Sequence, residues 1–467
     1  MKTSPIKFGT DGWRSVIADT YTFENVRIVA AALAAHLKKQ EKQKIPQGVA
    51  IGYDTRFLSR EFARAAAETI AAAGIPVHLA QRDCPTPAIC WAVRSRGMAS
   101  GVMITASHNP PRYNGFKFFM PNGSSADTDT TKSVESFLGK KTATGTPATV
   151  TEFDPHPDFA RELERVIDVG LLKKARGKAV CDFVHGTGRG YLDEFLRGCG
   201  WRVTTIRDEP DPMFGGILPD PANPECHKTL QAAVTKGKAD LGLANDPDAD
   251  RFGIVDSTGE YLSPNQVLPL VYVHMLEHRG IQGPIARTVA TTHLLNAIAE
   301  RHGQGVIETP VGFKWIAEAI EEKGAILGGE ESGGLSMAGH EPNKDGVLAD
   351  LLAAEVWAVH RKPLSEVFQD IMKKYGAYYS SRIDLHLDPA AKDALMHNME
   401  QAPPKEVAGS PVAQVVRLDG IKLNLKDQSW LLMRPSGTEP LVRVYMEART
   451  KKRLKELTQF AQGLRGT

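Results

Sequence analysis

A multidomain α/β protein is the fold class predicted here: three related α/β units in series, then a smaller α+β unit. Three observations carry this. The chain has 467 residues, about three times an ordinary domain of roughly 150. Short β-rich runs alternate with longer Ala- and Leu-rich stretches over most of it, and such alternation builds sheets covered by helices. Beyond residue 375 strands outnumber helices.

Residues 48–53 read as a buried strand, 59–73 as an alanine-rich helix stopped by Gly74, and 75–79 as the next strand. Strand–helix–strand units of this kind form parallel sheets. Residues 101–104 are a further apolar strand, and 140–157, rich in Thr, Ala, Gly and Pro, read as a linker. The second unit runs from a strand at 178–184 through a Gly-rich turn at 186–190, a helix from about Tyr191 and a strand at 239–244. The third has a strand at 285–290 and a helix at 294–301. The units match in pattern, without a strong residue-level repeat. Strands follow at 381–387, 412–418, 421–425, 430–433 and 441–448, then a basic helix from Lys451. The expected domains are 1–150, 151–258, 259–374 and 375–467.

Composition narrows the function. Hydrophobic residues are 42% and charged residues 24%, which excludes a largely disordered chain. Lys and Arg number 57 against 55 Asp and Glu, a net charge of +2. That total gives no reason to expect nucleic acid or an anionic membrane as partner, so any bound anion must be held by local clusters. Five Cys (84, 90, 181, 199 and 226) form no CxxC pair, and an odd number cannot all pair within the chain. A reducing compartment is expected. The start has no apolar run after its lysine, and no apolar stretch approaches the ~20 residues that cross a bilayer. The expectation is a cytoplasmic protein, monomer or dimer.

Four loops carry chemistry. TASHNP at 105–110 follows the apolar strand, so Ser107 should sit at the C-terminal edge of a sheet, where open α/β sheets bind ligands. The same hexapeptide also fits a plain turn in which Ser107 and Asn109 bond to the backbone; a G-x-S-x-G elbow is absent. DPDADR at 246–251 places Asp246, Asp248 and Asp250 on one face of an extended chain. Adjacent same-face residues lie ~6.6 Å apart on a straight strand, so the loop must curve for the carboxylates to share one cation. An EF-hand is excluded by Arg251 and Ser257 at its sixth and twelfth positions. Oxygen-only ligands favour Mg²⁺, with Mn²⁺ possible; a solvated acidic turn is the alternative. Glu330 and Ser332, within GGEESGG at 328–334, share a face that suits neighbouring sugar hydroxyls, or simply form a surface turn. RPSGTEP at 434–440 offers Arg434, Ser436, Gly437 and Thr438 to a phosphate, or closes a hairpin. The turn at 186–191 fails as a dinucleotide fingerprint because its last glycine position is Tyr191.

Taken in order with FGTDGWR at 8–14, these motifs resemble the α-D-phosphohexomutase family, from residue 8 to about 445. The resemblance implies four domains around a central cleft, three of them related mixed-sheet α/β units and the last a smaller α+β domain, and interconversion of hexose 1-phosphate and hexose 6-phosphate through a phosphoserine and a 1,6-bisphosphate. Ser107 takes the place of the phosphoserine, and it and the three aspartates that of the Mg²⁺ ligands. Arg251 matches a contact to the phosphoryl group, Lys117 a general acid/base and Arg14 a support of the serine loop. His108 is counted with this group, although chain neighbours on an extended strand point apart. Arg434, Ser436, Gly437 and Thr438 match the anchor of the far phosphate, and Glu330 and Ser332 the reader of O3 and O4. Gly312, in ETPVGFKW at 308–315, and Lys344, in NKDG at 343–346, resemble ligand-binding positions of phosphoglucomutases. Gly334 stands where many relatives have His. Glucose phosphate is therefore the expected substrate, with glucose 1,6-bisphosphate as intermediate and activator; mannose and glucosamine phosphates are alternatives. A non-catalytic sugar-phosphate binder is the reading outside that class.

Overall fold

The computed structural model describes residues 6–9, 12–140, 146–436 and 441–464. Among these residues the strands form four sheets, and the first three repeat one topology. In each, a first strand (Val49–Tyr53, Lys178–Asp182 or Ile285–Thr288) lies between a second and a third, all parallel. The second is Val77–Ala80, Arg202–Ile206 or Val306–Thr309, and the third is Ser100–Ile104, Leu241–Asn245 or Leu327–Gly329. A fourth strand (Tyr113–Phe119, Phe252–Asp256 or Leu335–Met337) pairs antiparallel with the third. The sheets are thus mixed, as the family resemblance implies. Helical crossovers supply the parallel part; the link from third to fourth strand is too short for a crossover, so those two must run antiparallel.

Edge strands extend this plan. Trp13–Val16 pairs with Tyr113–Phe119, and Val150–Phe153 pairs with Val77–Ala80. The stretch expected to be linker therefore carries the sixth strand of the first sheet. Tyr261–Leu262 closes the second sheet. The helix Ser59–Ala72 buries Ala63, Ala66, Ala67 and Ile70, and such small side chains let it lie close on the sheet. The helix Gly346–His360 is apolar almost all round and nearly all buried, as expected of a helix enclosed between units. One continuous core runs through the three α/β units, from Ile89 and Cys90 through Phe183 and Leu243 to Leu268 and Leu352. All five cysteines are free and buried.

The fourth sheet is antiparallel throughout and starts at Tyr379–His386. It is backed by the helix Lys451–Gly463, which adds Leu457 and Ala461 to a separate core. Val289 and Ala290 meet Trp430, Leu432 and Tyr445 where this unit docks on the third. No helix among the described residues is long and apolar enough to cross a membrane.

The repeat positions the chemistry. In all three α/β units the link between third and fourth strands is a motif loop: TASHNP, DPDADR or GEESGG.

Candidate active site

The strand Ser100–Ile104 is buried along its whole length and delivers its loop to the sheet edge. Thr105 Oγ1 donates to Asp54 Oδ2 (2.6 Å) and accepts from the Ser107 N–H (2.8 Å). Ser107 is in the left-handed region, with φ 51°. An L side chain there costs roughly 1–2 kcal/mol, so the surroundings must hold it. Arg56 does so. Its guanidinium donates to the carbonyls of Ser107 and Asn109, and to those of Pro110 (2.9 Å) and Tyr113 (3.0 Å). Its Nε lies 3.2 Å from Asp54 Oδ2. Arg14 Nη1 adds a bond to Asn109 Oδ1 (2.8 Å). The left-handed turn also breaks the alternation of side chains, so His108 Nδ1 comes within 3.3 Å of Ser107 Oγ. Burial, then the cations Arg251 and Arg14, push the His108 imidazole well below its usual pKa.

Ser107 Oγ donates to Asp246 Oδ2 across 2.7 Å, joining the first motif loop to the second. Asp246, Asp248 and Asp250 are buried, and one oxygen from each lies within 4.8 Å of the others. The curvature that convergence demands comes from Ala249, at φ 53°, and from the turn at 186–190. There a Cβ on Gly186 would lie 2.6 Å from Pro247 Cα, and Thr187 donates its N–H and its hydroxyl to the Pro247 carbonyl. The glycine-rich turn rejected as a nucleotide motif is the bed of the acidic loop.

Cations surround the carboxylates. Lys117 Nζ donates to Asp248 Oδ2 and Asp250 Oδ2, both at 2.9 Å, and Lys344 Nζ lies 3.2 Å from Asp250 Oδ2. Thr86 Oγ1 donates to Asp248 Oδ2 (2.7 Å). Burial and the neighbouring Asp248 and Asp250 push Asp246 well above the usual carboxylate range. Burial works the same way on Asp248, but Lys117 outweighs it and holds that carboxyl low. The second oxygens of Asp248 and Asp250 are buried with no hydrogen-bond donor. Three converging carboxylates, two of them with an orphaned acceptor, are the donor set of a hard divalent cation. Arg251 donates its N–H to Asp246 Oδ1 (3.0 Å), and its Nε is buried without an acceptor, a vacant donor beside Ser107's partner.

The third loop lies alongside. Glu330 Oε1 accepts from the Gly312 N–H (2.9 Å), and Ser332 Oγ is 3.5 Å from Glu330 Oε2. Burial, then Glu331, raises the Glu330 pKa. A Cβ added at Gly334 would lie 2.8 Å from Lys344 Cδ, so the stem of Lys344 fills the space a larger residue at 334 would need. Arg434 Nε donates to Asp419 Oδ2 (2.9 Å), and the same oxygen accepts from the Val311 N–H (2.9 Å). Ser436 is buried; Gly437 and Thr438 lie outside the described residues. The expected residues therefore form one connected cluster around Ser107 and the aspartates, a second around Glu330 and Gly312 reached through Lys344, and Arg434 tied to the second by Asp419. Arg56 and Asp54 were not foreseen. Their signal was an acid and a base just past a buried strand, at the same sheet edge as Ser107.

These four units and their loops are those of a sugar-phosphate mutase. Family descriptions of phosphoglucomutase/phosphomannomutase match throughout: alpha/beta/alpha domain I over residues 5–144, domain II over 157–259, domain III over 263–375 and the C-terminal domain over 396–461. The chain belongs to this family, the α-D-phosphohexomutases. It is 31% identical to a phosphoglucomutase of Komagataeibacter xylinus, over 96% of this chain and 88% of that one. It is 32% identical to a probable phosphoglucosamine mutase of Methanothermobacter thermautotrophicus, over 98% and 97%. The crystal structure of a putative phosphomannomutase from Thermus thermophilus superposes with TM-score 0.87 at 33% identity, covering 99% of both chains.

Proposed function

We propose that this chain interconverts glucose 1-phosphate and glucose 6-phosphate through phosphoserine 107 and glucose 1,6-bisphosphate. The observation that carries the reading is the contact of Ser107 Oγ with Asp246, beside Lys117 on Asp248 and Asp250. Asp246, Asp248, Asp250 and the phosphorylated Ser107 would hold Mg²⁺. When bound, the ion supplies positive charge against the oxygens of the transferring phosphoryl group.

The chain's own residues do the rest. The Oγ–P bond of phosphoserine breaks as a P–O bond forms to the free hydroxyl of the hexose monophosphate. That hydroxyl loses a proton, and Ser107 Oγ receives one when its phosphate leaves. Lys117, held on two carboxylates at the site, is the group assigned to move it. Arg251 aims its free Nε at the phosphoryl oxygens, and Arg56 keeps the serine loop from shifting. Glu330 and Ser332 grip hydroxyls common to both orientations of the sugar, Gly312 and Lys344 line the same position, and Arg434, Ser436, Gly437 and Thr438 hold the phosphate that stays. The bisphosphate then turns over, and its other phosphoryl group returns to Ser107. Glucose is favoured because 308–315 resembles the corresponding stretch of phosphoglucomutases and Lys344 accompanies it.

A coupled assay on glucose, mannose and glucosamine 1-phosphates, with a trace of bisphosphate, tests the substrate. The highest kcat/KM is expected with glucose 1-phosphate; a higher value with either other sugar overturns that choice. Peptide mapping should find about 80 Da, one phosphoryl group, on the Ser107 peptide. Near-normal turnover by Ser107→Ala would remove the phosphoserine mechanism altogether.

A further inference from the structure

A second buried cluster lies behind the sugar loop, where all three α/β units meet. His340, Glu341 and Asp345 sit between the strand Leu335–Met337 and the helix Gly346–His360 of the third unit. All three are fully buried. Glu162, on the helix His156–Val166, enters from the second unit, and Trp91, on the helix Thr86–Ser95, from the first. We propose that His340, Glu341 and Asp345 form a binding site for a divalent first-row transition ion, separate from the aspartate loop.

Four observations support it. One donor atom from each of the three residues lies within 4.8 Å of the others. Both oxygens of Glu341 are buried without any hydrogen-bond donor. An ionised carboxylate so placed costs several kcal/mol, and native proteins rarely leave one so. His340 is already held as a metal ligand is held: Nδ1 lies 3.0 Å from Glu162 Oε1, while Nε2 faces Asp345 Oδ2 at 2.8 Å. Imidazole ligands characteristically give their far N–H to an outer carboxylate, and Glu162 is in turn paired with Arg165 at 2.6 Å. Asp345 spends its other oxygen on the Leu348 N–H (2.9 Å), capping the helix and fixing the carboxylate.

Without an ion, protons would compensate the charge. Burial lowers the His340 pKa, but Asp345 and Glu162 outweigh it and lift it to about 9. Burial pushes Glu341 well above the usual range. A cation would displace these protons. One imidazole with two carboxylates suits Zn²⁺ or Mn²⁺ better than Mg²⁺. The rings of Trp91 and Phe159, 6.3 and 6.1 Å from His340, supply an apolar shell. Such an ion would bind the second unit to the loop that carries Lys344. Its role is structural, and the site stands whether or not the substrate assignment above is right.

The test counts ions. The full chain is stripped with chelator, dialysed against Zn²⁺ or Mn²⁺, and analysed for bound metal. To silence the first site, the counting is done in Asp248→Asn. About one Zn²⁺ per chain should remain in Asp248→Asn and none once Glu341→Gln is added, with His340→Gln as a second variant and circular dichroism to verify folding. Loaded with Co²⁺, Asp248→Asn should show visible absorption that His340→Gln abolishes. If folded Asp248→Asn binds no ion, or Glu341→Gln and His340→Gln leave its content unchanged, the site does not exist. Failure of mutase activity alone touches only the functional assignment.

Discussion

Ser107 is held in a conformation its own side chain disfavours, and Arg56 shows how. One buried guanidinium gathers four carbonyls of the serine loop while pairing with Asp54. Lysine keeps the charge but has no planar fork to reach several acceptors. Arg56→Lys should therefore lose about 2–4 kcal/mol of stability, the range for charged hydrogen bonds and disrupted buried pairs. Turnover should fall by about tenfold or more, because small misplacements of reacting groups are expensive. Thermal unfolding and steady-state kinetics measure the two effects; a variant unchanged in both would show that the loop is fixed by something else. At this scale the sequence was informative about side chains that act and silent about those that position. Ser107 and the aspartates stand in dense polar motifs beside apolar strands. Arg56 lies fifty-odd residues before its carbonyls, and only tertiary folding brings them together.

At the scale of elements, the three α/β units explain why short, individually ambiguous motifs converge. Each unit ends its third strand at the same sheet edge and returns antiparallel, so equivalent links become the serine, acidic and sugar loops. The alternation of strand and helix was legible because strand cores and Ala-rich helices differ in period and composition. The mixed direction of the sheets came from the family resemblance and not from that alternation, since strand period and composition do not say which strands pair. The sixth strand of the first sheet was hidden in a polar, Thr-rich stretch because an edge strand, half-exposed here, needs little apolar surface. The docking of the fourth unit was also unreadable. Lys422 is buried there, donating to the Val289 carbonyl (2.7 Å) and to His293 Nε2 (2.9 Å), with its Nζ 4.4 Å from the centre of the Trp430 ring. Burial, then Arg287, lowers its pKa from 10.5 to about 8. Between those values the unfolded chain binds more protons than the fold, so this residue makes stability rise with pH across the window. The difference amounts to about 3 kcal/mol. Lys422→Met should flatten that rise, seen by comparing denaturant midpoints of the two proteins near pH 7.5, 9 and 10.5. Parallel curves would mean that Lys422 keeps an ordinary pKa.

For the whole molecule, the proposed function has groups from all four units act on one small sugar. The first three share a continuous core and hold Ser107, the aspartates and Lys344 in contact. The fourth has its own core and touches the third through a small apolar joint, the contacts of Lys422 and the Arg434–Asp419–Val311 link. That division fits the proposed function, in which three units would form the phosphoryl-transfer site and the last would clamp the distant phosphate. Arg434→Ala should then weaken both monophosphates by about 1.5–3 kcal/mol, the worth of charge-assisted bonds, which is roughly a ten- to 150-fold rise in KM. Phosphorylation of Ser107 should persist, since nothing near it changes. The bisphosphate should escape more often during its turn, so the variant should depend more on added bisphosphate. Steady-state kinetics with and without bisphosphate, and mass analysis of the Ser107 peptide, read these outcomes separately. Normal KM together with loss of phosphoserine would place Arg434 at the reacting phosphate instead of the distant one.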